Sequence, residues 1–320
     1  MKGVLSPRWY GFYILAIMLV GFSLVLPDTF PTMDNFRAIA GNQAIGAILA
    51  VALVLPLACG AFDLSIASVM TLSGIVAAGM FHSMEAAVPV AILAAIAVGA
   101  LFGLLNGIGV AVIGIESLIV TLATGSIATG IAQWWTNGAV FTDHIPKSFQ
   151  DFGQSQWAGI PLPVIYLVVL AAVIWWVLER MPVGRYIYAL GDNFEAARLT
   201  GLRTRRLTIG SFVAAGALSG VAGVVLAAKS GSGNPTIGAS FLLPAFAAVF
   251  LGATIFRPGQ YNVVGTIVAV FIVAVGLAGL TQLGVAFYIE PVFTGVVLLV
   301  AVGLTKVKTW KRFVRRQEAT

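Results

Sequence analysis

The sequence is short of the residues with which soluble proteins meet water. Asp, Glu, Lys and Arg make up only 9% of its 320 residues, against roughly a quarter in soluble globular domains, which excludes an ordinary water-soluble domain. Its one cysteine, Cys59, excludes an intramolecular disulfide framework; apolar neighbours make it a packing residue rather than a redox group. The two histidines, His82 and His144, lie far apart in the chain without Cys or carboxylate partners at metal-ligand spacing. HExxH is absent, so no metal site is expected. Gly223 to Ser230 falls one residue short of a phosphate-binding loop, with Ala228 in place of the required glycine. That stretch lies in a continuous apolar run. No nucleotide or other cofactor site is expected, and any energy for work must come from elsewhere.

What the sequence does have is length in hydrocarbon. It is 59% hydrophobic with a mean hydropathy of +1.00, and many of its 36 glycines lie inside apolar runs, where small residues let membrane helices approach closely. The basic start Met1–Arg8 and the run Trp9–Leu26 follow the order of a signal peptide. The run is long for one and lacks a small-x-small site before Asp28, so it reads as a retained first span. Ten apolar segments follow one another, approximately 9–27, 39–58, 64–82, 86–110, 117–138, 161–180, 207–228, 238–256, 262–282 and 288–305. Unpaired backbone cannot persist in lipid, so these are expected as helices; none alternates like a strand of a membrane barrel.

Charge supports the layout independently. With the N-terminus cytoplasmic, 15 of the 18 Lys and Arg residues fall in inner loops or ends, and only Arg37, Lys147 and Lys229 fall outside. The positive-inside rule then favours an even number of spans with both termini cytoplasmic. The fold class is all-α, a polytopic transmembrane helical bundle of about 10 spans, with eight spans plus two re-entrant segments as the alternative. The reading is of a single transmembrane domain over 1–320, with a cytoplasmic loop at 181–206 and a basic cytoplasmic tail at 306–320. That tail suits anionic lipid rather than nucleic acid. The longest outer loop, 136–159, carries Asp143, His144, Lys147 and Asp151.

Within the inner loop, Leu190 to Leu202 reads as a short capped helix. Asp192 or Asn193 can serve the free N–H groups of its first turn. Glu195 and Arg198 suit the two ends of the helix dipole, and Gly201 supplies a left-handed terminator. Phe194, Ala197 and Leu202 are expected to form a small apolar face toward a partner.

The pattern Gly191-x-Asn193-x-Glu195-Ala196-Ala197-Arg198-Leu199-x-Gly201 resembles the cytoplasmic signature of permease subunits in ATP-binding-cassette importers, in particular the ribose- and xylose-type sugar permeases. Asp63-Leu64-Ser65, Gly103-Leu104-Leu105-Asn106-Gly107, Ser117 to Thr124, Asn234-Pro235 and Ala247 to Thr254 resemble further segments of that family, in its order. The chain departs from the family's usual pattern at Gly60-Ala61-Phe62, at Leu242-Leu243-Pro244 and at Phe256-Arg257-Pro258-Gly259, which bears on substrate more than on mechanism. The resemblance implies a non-enzymatic transport subunit in the inner membrane. Its implied partners are ATPase subunits that use the ATP, an external sugar-binding protein, and a second permease copy or paralogue. It also implies that Gly191, Asn193, Glu195, Ala196, Ala197, Arg198 and Gly201 couple the chain to the ATPase.

A sugar pathway needs several neutral hydrogen-bonding groups rather than one charge. Asn106, Thr121, Thr124, Ser126 and Gln282 within spans, and Asp63, Ser65, Ser68 and Asn234 at breaks between them, are the pathway candidates. Bonding to a neighbouring helix is the competing role for each, and helix capping for Asp63 and Glu116. Polar, glycine-rich breaks at 59–68 and 229–240 occupy matching places if spans 2–5 and 7–10 are inverted repeats, the arrangement that marks a pathway in many transporters. A secondary, ion-coupled transporter is the main alternative; it requires a titratable mid-membrane cluster, of which only Asp63 is present. A membrane-embedded enzyme is disfavoured by the missing catalytic constellation.

Overall fold

A computed structural model describes residues 9–286 and 288–317, with side chains to residue 303. The described chain is a polytopic helical membrane protein. Its helices are α1 (Tyr10–Val25), α2 (Met33–Ala58), α3 (Ile66–Met84), α4 (Val88–Ile108), α5 (Ser117–Thr136), α6 (Lys147–Gln154), α7 (Leu162–Glu179), α8 (Pro182–Asp192), α9 (Phe194–Leu199), α10 (Thr204–Ser230), α11 (Ala239–Ile255), α12 (Val263–Gln282) and α13 (Ile289–Gln317). Seven of them, α2, α3, α4 with its π-helical extension Gly109–Ile113, α5, α7, α10 and α12, are long and apolar enough to cross a membrane. The apolar α1, α11 and the first part of α13 are shorter. Each of the ten apolar segments of the sequence falls on one of these ten helices. The tail residues Lys306, Lys308, Lys311, Arg312, Arg315 and Arg316, and Lys2 and Arg8, have side chains outside the described residues.

The chain divides into two compact units, and the division falls inside α2 and α11. The larger, Ala44–Leu242, is organised around α10. Glycines repeat every fourth residue along α4 at Gly99, Gly103 and Gly107, and along α10 at Gly216 and Gly220. A Cβ on Gly103 would strike the Phe212 carbonyl, and one on Gly216 the Gly99 carbonyl. The two backbones therefore touch, as small-xxx-small faces allow in lipid, where dispersion contacts must replace the hydrophobic effect. The same device repeats against α3, where a Cβ on Gly74 would lie 3.0 Å from the Gly223 carbonyl.

The connection expected as a plain outer loop is folded. Phe141 exchanges backbone hydrogen bonds with Gly233, at 2.9 and 2.8 Å. Helix α6 buries Phe149 completely and seats Gly153 on the backbone of Lys229. A two-stranded hairpin, β1 (Gln156–Trp157) with β2 (Ile160–Pro161), leads into α7. Hydropathy hid this cap because its apolar groups are single residues among polar ones. The cap also brings His82 and His144 to a ring separation of 6.4 Å, although they are distant in sequence; no third ligand for a metal joins them among the described residues.

The smaller unit comprises the described parts of 1–43 and 243–320. In it α1 crosses α12 with the Phe22 ring against Gly279 and Met18 against Gly276. Asn262 caps α12 by accepting a 2.7 Å hydrogen bond from the Gly265 N–H, and its amide nitrogen donates to the Gln260 carbonyl at 3.0 Å.

Candidate functional site

Two polar regions of the larger unit gather the residues singled out in the sequence. The first is the segment α8–α9. Asn193, not Asp192, is the cap: its Oδ1 accepts from the Ala196 N–H at 3.0 Å. At the other end Gly201 adopts φ +81°. The Leu202 N–H donates to the Ala197 carbonyl at 3.2 Å and the Gly201 N–H to the Arg198 carbonyl at 3.0 Å, the pair of bonds that closes a Schellman terminus. Helix α9 has only six residues, far below the length at which an isolated helix is stable in water. Caps at both ends, and Ala197 buried to 5% exposure, hold it in place.

The exposed side of α9 carries an ion pair, Arg198 to Glu195 at 3.1 Å, with both side chains about two-thirds exposed. Such a pair adds little to stability. It does set a fixed array of charge beside Phe194 and Leu199, which are 52% and 82% exposed. The expected apolar face is thereby corrected. Ala197 turns inward and Leu202 is half-buried, as befits the two positions whose apolar contact commonly accompanies Schellman bonds. Phe194 and Leu199 point outward instead.

Gly191, the next-to-last residue of α8, lies directly on the end of α2. A Cβ there would strike the Ala58 carbonyl, and one on Gly60, whose φ is +84°, would lie 3.3 Å from the Gly191 Cα. Cys59 is buried beside Thr208 of α10, Sγ to Oγ1 3.6 Å. The segment α8–α9 thus rests on the chain entering the break between α2 and α3.

That break leads into the second region, a chain of hydrogen bonds joining α3, α4 and α5. Ser65 occupies the N-cap position of α3 but makes no side-chain cap bond. Asp63 stands two residues earlier, and its Oδ1 accepts from both the Ser65 N–H at 3.0 Å and the Ser65 hydroxyl at 2.6 Å. The Ser65 Oγ accepts from the Asn106 amide of α4 at 2.8 Å, and the Asn106 Oδ1 accepts from the Thr124 hydroxyl of α5 at 2.6 Å. Two more α5 hydroxyls serve the non-helical backbone: Ser117 accepts from the Phe62 N–H at 3.0 Å and Thr121 from the Leu64 N–H at 3.1 Å. One turn further on, the Thr129 hydroxyl bonds that of Ser68 at 3.1 Å.

Asp63, Ser65, Asn106 and Thr121 are no more than 2% exposed. Buried groups of this kind must be paired, because each one left alone costs about 1–3 kcal/mol. The spacing of the partners on α5 explains the geometry. Ser117, Thr121, Gly125 and Thr129 recur every fourth residue and form one ridge, with Gly125 giving the α3 terminus room beside Ser65. Six of the nine pathway candidates meet here, and Ser126, Asn234 and Gln282 do not. Asn234 closes a local turn by accepting from the Thr236 N–H and hydroxyl, both at 2.9 Å, next to the Phe141–Gly233 bridge. Glu116 holds the N-cap position of α5 without a side-chain cap bond, and the Ser126 hydroxyl turns back to its own helix at Leu122.

A third polar group, in the smaller unit, forms around Gln282, whose partners the sequence did not single out. The Gln282 amide nitrogen donates to Asn35 at 2.9 Å and its oxygen accepts from Thr29 at 3.0 Å. Asn42, Gln43, Thr281 and Glu290 line the adjoining recess. The signal was present as Asn-Gln inside an otherwise apolar run.

Against known proteins, the sequence matches the family described as "Branched-chain amino acid transport system / permease component" over residues 35–302. The ribose import permease protein of Haemophilus influenzae is 33% identical, with 91% of this chain and 90% of that protein covered. The ribose import permease protein of Escherichia coli is also 33% identical, over 90% and 91%. The D-allose transport system permease protein of Escherichia coli is 30% identical, over 93% and 91%. No solved structure matches the chain. A family match over most of the length, on a polytopic helical fold, makes this chain a member of that family of transport-system permease components.

Proposed function

We propose that the chain is the membrane-spanning permease of an ATP-binding-cassette importer for a small sugar. It sits in the cytoplasmic (inner) membrane with about ten spans and both ends cytoplasmic. The observation that carries this reading is 33% identity to ribose import permeases along nine-tenths of both chains. The D-allose relative widens the substrate class to pentoses and hexoses.

In this reading α9 is the cytoplasmic knob that a separate ATPase subunit grips. Gly191, Asn193, Ala196, Ala197 and Gly201 give it its shape, while Glu195 and Arg198, with Phe194 and Leu199, form the contact. Movement of the knob passes through Gly191 to Ala58 and Gly60, and so to Asp63. From there the bonded set Ser65, Asn106 and Thr124, with Thr121 and Ser68, shifts α3 against α4 and α5 and changes access to the solute path. Asn234 stands at the corresponding break outside, and spans 2–5 and 7–10 form inverted repeats. A second permease copy or paralogue, two ATPase subunits and an external sugar-binding protein complete the importer. ATP hydrolysis belongs to the ATPase partners.

The test is uptake in proteoliposomes holding the permease with its co-purified ATPase and the binding protein, using labelled D-ribose, D-allose and L-arabinose. Uptake of at least one sugar that needs both ATP and the binding protein is expected. Proton-driven uptake by the permease alone would overturn the reading in favour of a secondary transporter.

A further inference from the structure

We infer that the polar recess formed by α2, α12 and the start of α13 is a contact site for the transported sugar. This rests on the importer reading above and adds a place and a chemistry to it.

The recess lies wholly within the smaller unit and has a cavity volume of about 310 Å³, at the small end of the span of small-molecule sites. Two helix faces of the same spacing build it. On α2 the lining residues are Asn35, Ala38, Ile39, Asn42 and Gln43; on α12 they are Ala274, Leu277, Ala278, Thr281 and Gln282. Each set follows the i, i+3, i+4, i+7, i+8 pattern of a single helical stripe. A neighbouring recess continues from Leu277, Thr281 and Glu290 toward Val285 and Ile289.

Depth makes the polar groups informative. Asn42 is nine residues inside α2, or about 14 Å along its axis, and its side chain is exposed. Polar side chains at that depth in a membrane helix seldom face lipid, so the stripe faces water, solute or another polar surface. Asn35 and Gln282 are already held by bonds to each other, to Thr29 and to the Phe30 carbonyl, so this rim of the recess is set before any ligand arrives.

The lining chemistry then selects among solutes. Asn42, Gln43 and Thr281 offer both donors and acceptors, and Glu290 offers two acceptor oxygens, which suits adjacent hydroxyl groups. Ala38, Leu277 and Ala278 give the C–H face of a sugar ring an apolar surface. Among the described residues no Lys or Arg lines the recess, so the carboxylate of an amino acid would find no cation there. The recess therefore fits a neutral polyhydroxylated solute and not an amino acid.

Single cysteines at Asn42 and Thr281, made in a Cys59→Ser chain within the complete importer, test this. They are labelled from outside with a membrane-impermeant maleimide in right-side-out vesicles. Leu299→Cys, at a position 76% exposed on an apolar stretch of α13, is the lipid-facing control. Asn42→Cys and Thr281→Cys are expected to react and Leu299→Cys not to. The imported sugar, at three times its half-saturating concentration, should slow the reaction about fourfold, and L-leucine should not. No reaction at Asn42→Cys, or a rate indifferent to the sugar, overturns the site. Protection by L-leucine overturns its chemistry. If wild-type importer takes up no sugar, the importer reading has failed and the site falls with it; uptake without protection removes the site alone.

Discussion

The α9 knob and the Asp63 hydrogen-bond chain lie at the same end of the larger unit, yet they are built in opposite ways. The knob is local: every bond that shapes it joins residues within five positions of each other, from Asn193–Ala196 to Ala197–Leu202. Its polar groups stay in water. The Asp63 chain is long-range, linking residues 41 and 18 positions apart through Asn106, and its polar groups are buried. A local, exposed element can be gripped by a partner without disturbing the fold. A buried, connected one transmits any displacement because no member can move without leaving another unpaired. Gly191 is the joint between the two.

The largest effect is expected where gripping fails. Glu195→Lys breaks the pair with Arg198 and puts two cations side by side at the exposed face. The helix itself should survive, since the Asn193 cap and the Schellman bonds do not involve Glu195. Removing a charge that pairs across an interface typically costs 2–5 kcal/mol of binding, so ATPase should be lost on co-purification and uptake should vanish, with normal membrane insertion. Unchanged uptake in this variant would remove the docking role of α9.

Gly191→Val should separate gripping from transmission. Its side chain collides with the Ala58 carbonyl, and overpacking at such a contact costs about 1–3 kcal/mol. The knob surface is untouched, so ATPase should still co-purify while uptake falls strongly. Equal loss of both would mean that the joint only supports the knob's shape.

These two regions also differ in how far the sequence exposed them. Capping residues act on their neighbours, so the order Asn193, Glu195, Arg198, Gly201 already described a short helix with defined ends. Phe194 faces out as its position suggests, and only Ala197 and Leu202 differ, because the inward turn of Ala197 depends on the Schellman closure. The ten apolar helices were legible for the same kind of reason: hydropathy is a property of a window. The Asp63 chain was legible as a set of polar residues but not as a network, since nothing local pairs Ser65 with Asn106. Asp63 itself resembles a cap, whereas the backbone puts the cap position at Ser65, two residues later. The recess at Asn42 and Gln43 escaped because two amides in a 26-residue helix barely lower its mean hydropathy. Folded caps such as α6 escaped for the converse reason, their single buried Phe149 being too little to mark a run.

Asn106→Leu sharpens the comparison from the buried side. It leaves Ser65 Oγ without its donor and removes the acceptor of Thr124, which keeps carbonyl acceptors on its own helix at Val120 and Thr121. Cross-helix bonds in membrane proteins average about 0.6 kcal/mol, and the unpaired partner raises the loss to about 1–3 kcal/mol. A lowered unfolding temperature with ATPase retained and uptake reduced but measurable is expected. Asn106→Asp keeps an acceptor for Thr124 and should recover less than full uptake, because the donor to Ser65 is gone.

The smallest effect belongs to the knob's own cap. Asn193→Ala removes the acceptor for the Ala196 N–H, an exposed group that water can serve instead, so the cost is about 1 kcal/mol of local helix stability. Because α9 is only six residues long, that loss is a large share of what orders it, and it should appear as faster amide exchange at Ala196 and Ala197 with little change in the unfolding of the whole chain. ATPase should bind about fivefold more weakly, since the knob must then be ordered on contact. Asn193→Asp preserves the acceptor and should restore both exchange and binding. If Asn193→Ala instead lowered the stability of the entire larger unit, the knob would not be the self-contained element that its bonding describes, and the contrast with the Asp63 chain would collapse.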